Sequence, residues 1–233
     1  MDAYERKQTI DLTRTEQYIL SIRLQPDGFS FYIYDPLTKG SFLYEEERFG
    51  PLINYTEAFS NGIYSHEYLL QNYRKTYAVF VSDRFTFIPS GWANEAGERI
   101  YYDFCYPSHT DKVYSTRLPR TGIMELFGTE SGLGSFIERT FPEARIIHHL
   151  APLCEYFYAR SRLGNTFKTF VHLQAGRLDV ICFDRRGLLF ANSFSFITPM
   201  DAVYYILNVW KQQRFSQEND ELYLIGPKDL SFQ

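Results

Sequence analysis

The feature that most narrows what this chain can become is an echo of itself. Residues Ile22–Asp35 read I-R-L-Q-P-D-G-F-S-F-Y-I-Y-D, and residues Val171–Asp184 read V-H-L-Q-A-G-R-L-D-V-I-C-F-D. The two segments align without a gap: Leu24-Gln25 falls on Leu173-Gln174, and Asp35 falls on Asp184. Self-similarity inside a chain marks a repeated structural unit. Each copy turns at Pro26-Asp27-Gly28 or Ala175-Gly176, where glycine supplies backbone angles that other residues resist. Each then passes a second glycine, Gly40 or Gly187, into a third apolar stretch, Ser41–Tyr44 or Leu188–Phe190. Three short antiparallel strands are therefore expected in each copy.

A helix and a further strand follow each meander. In the second copy Thr198 is placed to cap the helix, Pro199 suits its first position, and Asp201 complements its dipole. Val203, Ile206, Leu207 and Trp210 then recur at the spacing of a buried helical face. The strand after it is Leu222–Ile225, stopped by Gly226-Pro227. In the first copy a helix over Glu57–Tyr73 leads to strands at Tyr77–Val81 and Phe85–Ile88 and a break at Pro89-Ser90-Gly91. Between the copies, strands at Lys112–Leu118 and Ala144–His149 alternate with helices at Leu133–Phe141 and Ala151–Leu163, as α/β layers do. The expectation is a duplicated α/β fold of the ribonuclease H-like kind. Its first subdomain covers residues 1–150, and the second, incomplete one covers 151–233. Either the natural chain continues past Gln233 or its second subdomain is abbreviated.

Composition excludes several function classes. The hydrophobic fraction of 45% is ample for a core, so a disordered chain is excluded. A net charge of −4 with interspersed signs offers no basic face for nucleic acid and no polybasic patch for a membrane surface. Cys105, Cys154 and Cys182 are widely spaced, odd in number and without a Cys-x-x-Cys, so neither a zinc ribbon nor a disulfide framework is implied. Met1–Gln17 is polar, unlike a signal peptide, and no apolar run approaches the roughly 20 residues that span a bilayer. A cytoplasmic protein without membrane insertion is expected.

On these hairpins the chain resembles the actin-like ATPase superfamily. More closely, it is similar to an uncharacterised bacterial family, domain of unknown function 3822. The resemblance implies an Asp-x-Gly signature in the first hairpin of each subdomain, whose carboxylates manage metal and water while glycine lets amides approach phosphate. Here those positions hold Arg23-Leu24-Gln25 and His172-Leu173-Gln174. Neither Arg nor Gln binds Mg²⁺ as a carboxylate does. Gly176 and Asp179 match later positions of the second phosphate motif, and Gly226 falls near the adenosine-contacting glycines. The resemblance thus implies a degenerate nucleotide cleft at Arg23, Gln25, His172, Gln174, Gly176, Asp179 and Gly226. No catalytic residue, metal or cofactor is expected. The leading reading is a non-catalytic scaffold or protein-interaction protein, with an unknown protein partner or self-association. The alternative is a nucleotide-binding protein or weak phosphotransferase using the interdomain cleft for ATP or ADP. In it, Arg23 and His172 would meet phosphate, and Asp27 or Asp179 would supply carboxylate.

Other segments have simpler readings. Gly128–Ser135 is glycine-rich before a helix, but no Gly-Lys-Ser/Thr follows, so a turn with a helix cap is expected. His148 and His149, adjacent on a strand, are expected on opposite faces and so cannot share a metal. Cys154 is expected as a small core residue. Glu45-Glu46-Glu47 reads as a charged guard on a sheet edge. The aromatic run Tyr101–Tyr106 is expected to be core in the main, and a partner surface where it is exposed.

Overall fold

In the computed structural model, residues 10–50, 54–93, 95–174 and 176–226 are described; Ala175 and Pro227, named above as turn and stop residues, lie outside them. The described residues divide into two compact units. The first holds those up to Thr116 together with Met124–His149, and the second holds Arg117–Ile123 and those from Leu150 onward.

The first unit opens with the expected meander: β1 (Ile19–Gln25), β2 (Gly28–Tyr34) and β3 (Phe42–Arg48). The β1–β2 register closes at Gln25 opposite Gly28. A side chain at Gly28 would put its Cβ 2.1 Å from the Glu47 carbonyl oxygen, so the close approach of β3 demands glycine there. Helix α1 (Tyr55–Ser65) follows and stops well short of the expected Tyr73, because His66 leaves helical angles and a 3-10 turn takes over at Glu67–Leu70. Phe59 of α1 packs edge-on against Phe29, with ring centroids 5.1 Å apart. β4 (Lys75–Phe80) pairs in parallel with β1. β5 (Phe85–Pro89), α2 (Glu95–Cys105), β6 (Lys112–Leu118) and β7 (Ile123–Thr129) come next, then α3 (Ser131–Thr140) and β8 (Arg145–His148). The main sheet runs β3-β2-β1-β4-β8, and a smaller one runs β5-β7-β6.

Helix α2 and strand β7 have no counterpart among the sequence expectations. Tyr102 of α2 is fully buried with Ile88 and Leu126, whereas Phe104 is 87% exposed, so the aromatic run divides between core and surface. The acidic run lies on β3 at the sheet edge, as expected of a charged guard.

The second unit carries α4 (Leu150–Ser161), a second meander of β9 (Lys168–Gln174), β10 (Arg177–Phe183) and β11 (Leu188–Ser195), then α5 (Pro199–Gln212) and β12 (Glu221–Ile225). Strand order is β11-β10-β9-β12, with β12 parallel to β9. The order of three strands, helix and strand therefore recurs in both copies. Helix α5 is capped as the sequence demands: Thr198 accepts from the Asp201 amide, and Asp201 accepts from the Thr198 amide. Its buried face agrees with the expected one at Ile206 and Trp210 and departs from it at Leu207. Ala202, Ile206 and Val209 pack on Val171, Leu173, Leu178, Val180 and Cys182, while Leu207 is 55% exposed. On the other face of the sheet, Phe157 of α4 lies nearly parallel to Phe170 at 4.4 Å, and Tyr223 of β12 stacks on the same ring at 4.9 Å. Cys154 is buried on α4, as expected.

β12 is tied to β9 at its start by Lys168, whose side chain is buried and pairs with Glu221. That lysine, with hydrogen bonds from Thr166 and Tyr223, holds the Glu221 carboxyl down at about 2. A carboxyl lowered by folding contributes stability above its ordinary value near 4.5, and this is lost as pH falls toward 2. Because the carboxylate is partly in solvent, the contribution is screened and small. Wild type should therefore resist urea better than Glu221→Gln at neutral pH, with the gap closing toward about pH 3; equal midpoints throughout would show that the pair contributes nothing.

Candidate functional site

Strand alternation and hairpin register decide which side chains of the second meander can meet. Leu178, Val180 and Cys182 face α5, so the odd-numbered Arg177 and Asp179 point to the opposite face. Register sets Asp179 opposite His172 on β9 and opposite Ser193 on β11, and Arg177 opposite Gln174. Five polar side chains thus share one patch of one sheet face.

At its centre Asp179 has no exposure. Oδ2 accepts from Gln174 Nε2 at 3.2 Å and lies 3.0 Å from His172 Nδ1. Oδ1 accepts from the Ser193 hydroxyl at 2.6 Å and from Arg177 Nε at 3.5 Å. A buried carboxylate is tolerated only when paired and hydrogen-bonded, and here both oxygens are engaged and two potential cations flank it. His172 and Arg177 keep some exposure, with 22% and 14% of their side chains in contact with solvent, so the acid is the enclosed member. Of the residues expected in a degenerate cleft, the structure therefore brings His172, Gln174 and Asp179 into direct contact. Gly176 sits in the turn between them with φ +69, a conformation that suits glycine. Gly226 follows β12 and lies against β9, where a Cβ would stand 3.0 Å from the Leu173 carbonyl oxygen. Arg177 and Ser193 were not among the expected residues. Arg177 was accessible to alternation from Asp179, but Ser193 required the long-range register of β11.

Arg23 and Gln25 belong to the first unit. Register places Arg23 opposite Ser30 on β2, and Ser30 opposite Glu46 on β3. The gapless repeat maps Arg23 on His172 and Ser30 on Asp179. Both copies thus carry a polar row across three strands, ordered Arg–Ser–Glu in one and His–Asp–Ser in the other. Gln25 instead lines a pocket of about 260 Å³ within the first unit, with Tyr55, Ser82, Arg84, Thr129 and Glu130. That volume falls just below the range usual for small-molecule sites. Arg84 is engaged by Asp111, at 2.8 Å from Nε and 3.1 Å from Nη2, and Tyr102 donates to the same carboxylate at 2.7 Å. The glycine-rich segment serves packing: a Cβ at Gly128 would meet the Tyr102 hydroxyl at 1.9 Å, and one at Gly134 the Tyr114 hydroxyl at 2.6 Å. Glu130 stands at the N-cap of α3 without a side-chain capping bond.

The paired histidines correct the expectation of opposite faces. Their rings touch, with centroids 4.3 Å apart, because β8 ends at His148 and alternation does not extend to His149. His148 is fully buried; its Nδ1 lies 2.7 Å from Glu125 Oε1, and its Nε2 lies 3.1 Å from the Ser82 carbonyl oxygen. A carbonyl can only accept, so Nε2 is the donor toward Ser82 and Nδ1 faces Glu125. This enclosed pair ties β7 to β8 and has no route to a substrate.

Replacing the central acid should be costly in the second unit alone. Asp179→Ala, which strands Arg177 and His172, is expected to lose about 3–5 kcal/mol, and Ser193→Ala about 1 kcal/mol. Urea unfolding followed by hydrogen exchange in β9–β11 reads both; equal small losses would mean that the network is not what holds the hairpin.

The family described as protein of unknown function (DUF3822) matches residues 7–230. A solved structure from Bacteroides thetaiotaomicron, described as having an actin-like ATPase fold and unknown function, is 35% identical. It aligns over 95% of this chain and 86% of its own with a TM-score of 0.84, and this chain has the same fold. An exopolyphosphatase from Cytophaga hutchinsonii is 13% identical, with a TM-score of 0.39 over 90% of this chain and 66% of its own. A PilM–PilN type IV pilus biogenesis complex is 10% identical, with a TM-score of 0.43 over 83% of this chain and 66% of its own. No curated protein matches the chain. Among the described residues, no helix is long and apolar enough to cross a membrane.

Proposed function

From the premise that the chain belongs to the family described as protein of unknown function (DUF3822), we propose that it is a non-catalytic scaffold or protein-interaction protein built on an actin-like ATPase fold. The observation that carries this reading is the enclosure of Asp179. A carboxylate that positions Mg²⁺ must present its oxygens to the ion and its waters. Asp179 instead has both oxygens taken by His172, Gln174, Arg177 and Ser193, with none of its surface exposed. The signature positions on the preceding strands hold Arg23 and His172, neither of which replaces it as a metal ligand. A fold that keeps both hairpins while enclosing the carboxylate of the second and holding no carboxylate at either signature position retains a shape and gives up turnover.

The second reading is nucleotide binding without hydrolysis, or weak phosphotransfer. It draws on the pocket beside Gln25 and on the partial exposure of His172. Thermal unfolding in ATP or ADP, with and without Mg²⁺, separates the two, since a ligand at one hundred times its dissociation constant adds about 2.7 kcal/mol to the folded state. The scaffold reading expects no shift at millimolar nucleotide. Saturable stabilisation that disappears in His172→Ala would replace it with the second.

A further inference from the structure

We propose that the edge of β12 that no described strand pairs is a docking strand for a second copy of this chain, paired antiparallel about a two-fold axis at Tyr223. This rests on the interaction role proposed above and names its partner. The starting observation is a difference between two strands that occupy the same place. Lys168 and Ile19 are equivalent in the repeat, and Lys168 pairs with Glu221 as Ile19 pairs with Lys75, so β12 and β4 correspond residue for residue. On that mapping Leu224 matches Ala78, and Tyr223 matches Tyr77.

Their surroundings differ sharply. In the first unit β4 is interior, with β8 on its far side in parallel register, and Ala78 has no exposure. In the second unit β12 is an edge among the described residues. Leu222, Tyr223, Leu224 and Ile225 are 43%, 39%, 54% and 36% exposed. Consecutive residues project to opposite faces, so both faces of this edge are apolar. Proteins guard free edges with charge, proline or bulges. The β3 edge carries such a guard in Glu45, Glu46, Glu47 and Arg48. β12 has only Glu221, which Lys168 already neutralises at the far end of the strand.

The strand is complementary to itself. Antiparallel pairing centred on Tyr223 sets Leu222 of each copy opposite Leu224 of the other, twice, on the α5 side of the sheet. Tyr223 meets Tyr223, and Glu221 meets Ile225. The two Glu221 carboxylates then stand roughly 13 Å apart along the seam, at four residues of strand rise, so no like charges oppose each other. The product is one sheet running continuously through both copies, an isologous contact that closes on itself. A five-residue seam is small, below the size of standard stable interfaces, so the pairing is expected to be reversible and concentration-dependent.

Sedimentation equilibrium on the full chain, over about a hundredfold range of concentration, reads the association by mass action. Wild type is expected to rise from monomer toward twice that mass, and Leu224→Lys to stay monomeric with an unchanged melting temperature. Geometry is checked with Tyr223→Cys in a Cys105→Ser background, since directly opposed strand residues bring their Cβ atoms to within disulfide reach. An oxidised dimer is expected from Tyr223→Cys and not from Leu70→Cys, an exposed site outside β12. Wild type that remains monomeric overturns the proposal, and protected β12 amides in that monomer would assign the edge to another segment of the chain. Dimerisation unaffected by Leu224→Lys overturns it too. Either result leaves the scaffold reading standing, because that reading falls only to nucleotide binding.

Discussion

A single carboxylate with no access to water dictates the construction of the second meander. Removing an ion of this kind from solvent costs several kcal/mol, and only close partners offset the cost. Asp179 is therefore intelligible only with Arg177, His172, Gln174 and Ser193 around it. The requirement reaches beyond those contacts, because strand side chains alternate with a period of two. Slipping β10 by one residue would carry Asp179 to the face that packs on α5, among Val171, Leu173 and Ala202. The network thus holds the register of β9, β10 and β11 more tightly than apolar packing alone would. The turn at Gly176 and the α5 core follow from that alignment.

The first copy meets the same geometry with other chemistry. Its row runs Arg23, Ser30, Glu46, with the acid on the third strand and near the surface instead of buried on the second. Gly28 stands where the second copy has Arg177, and the approach of the Glu47 carbonyl explains why no larger residue could serve. Both copies place a basic side chain on the first strand. The copies keep the backbone register while their side chains differ at most aligned positions, so the repeat survives in pattern more than in identity.

Much of this architecture was legible because it depends on local signals. Turn glycines, the Thr198–Asp201 cap and the apolar runs marked both meanders and α5. What escaped the sequence was settled by long-range contact. The spacing of Val203, Ile206, Leu207 and Trp210 fits a helical stripe as well as Ala202, Ile206 and Val209 do. Ile206 and Trp210 pack on the sheet as that spacing expects, while contact with the sheet adds Ala202 and Val209 and leaves Leu207 in solvent. Helix α2 leaves its apolar Ile100 and Phe104 in solvent and is anchored instead by Tyr102, seated on Gly128 of β7. The His148–His149 reading failed at a strand terminus, where alternation ceases to apply. Of the candidate site, the three residues that touch were named in advance, and they enclose the carboxylate that the nucleotide-binding alternative needs presented.

The duplication also supplies its own control for judging exposure. A scattered surface leucine needs no explanation, since apolar atoms make up much of any protein surface. Leu224 is different because the equivalent backbone position in the same chain, Ala78, is fully buried by a neighbouring strand. The first unit holds a small residue at this position. The second unit places a larger apolar residue at a position that water reaches. Sequence divergence from Ala to Leu therefore runs with the difference in setting, adding apolar surface where the sheet is open. That direction is hard to reconcile with an edge kept for solvent, and it fits a strand whose function is completed by another strand.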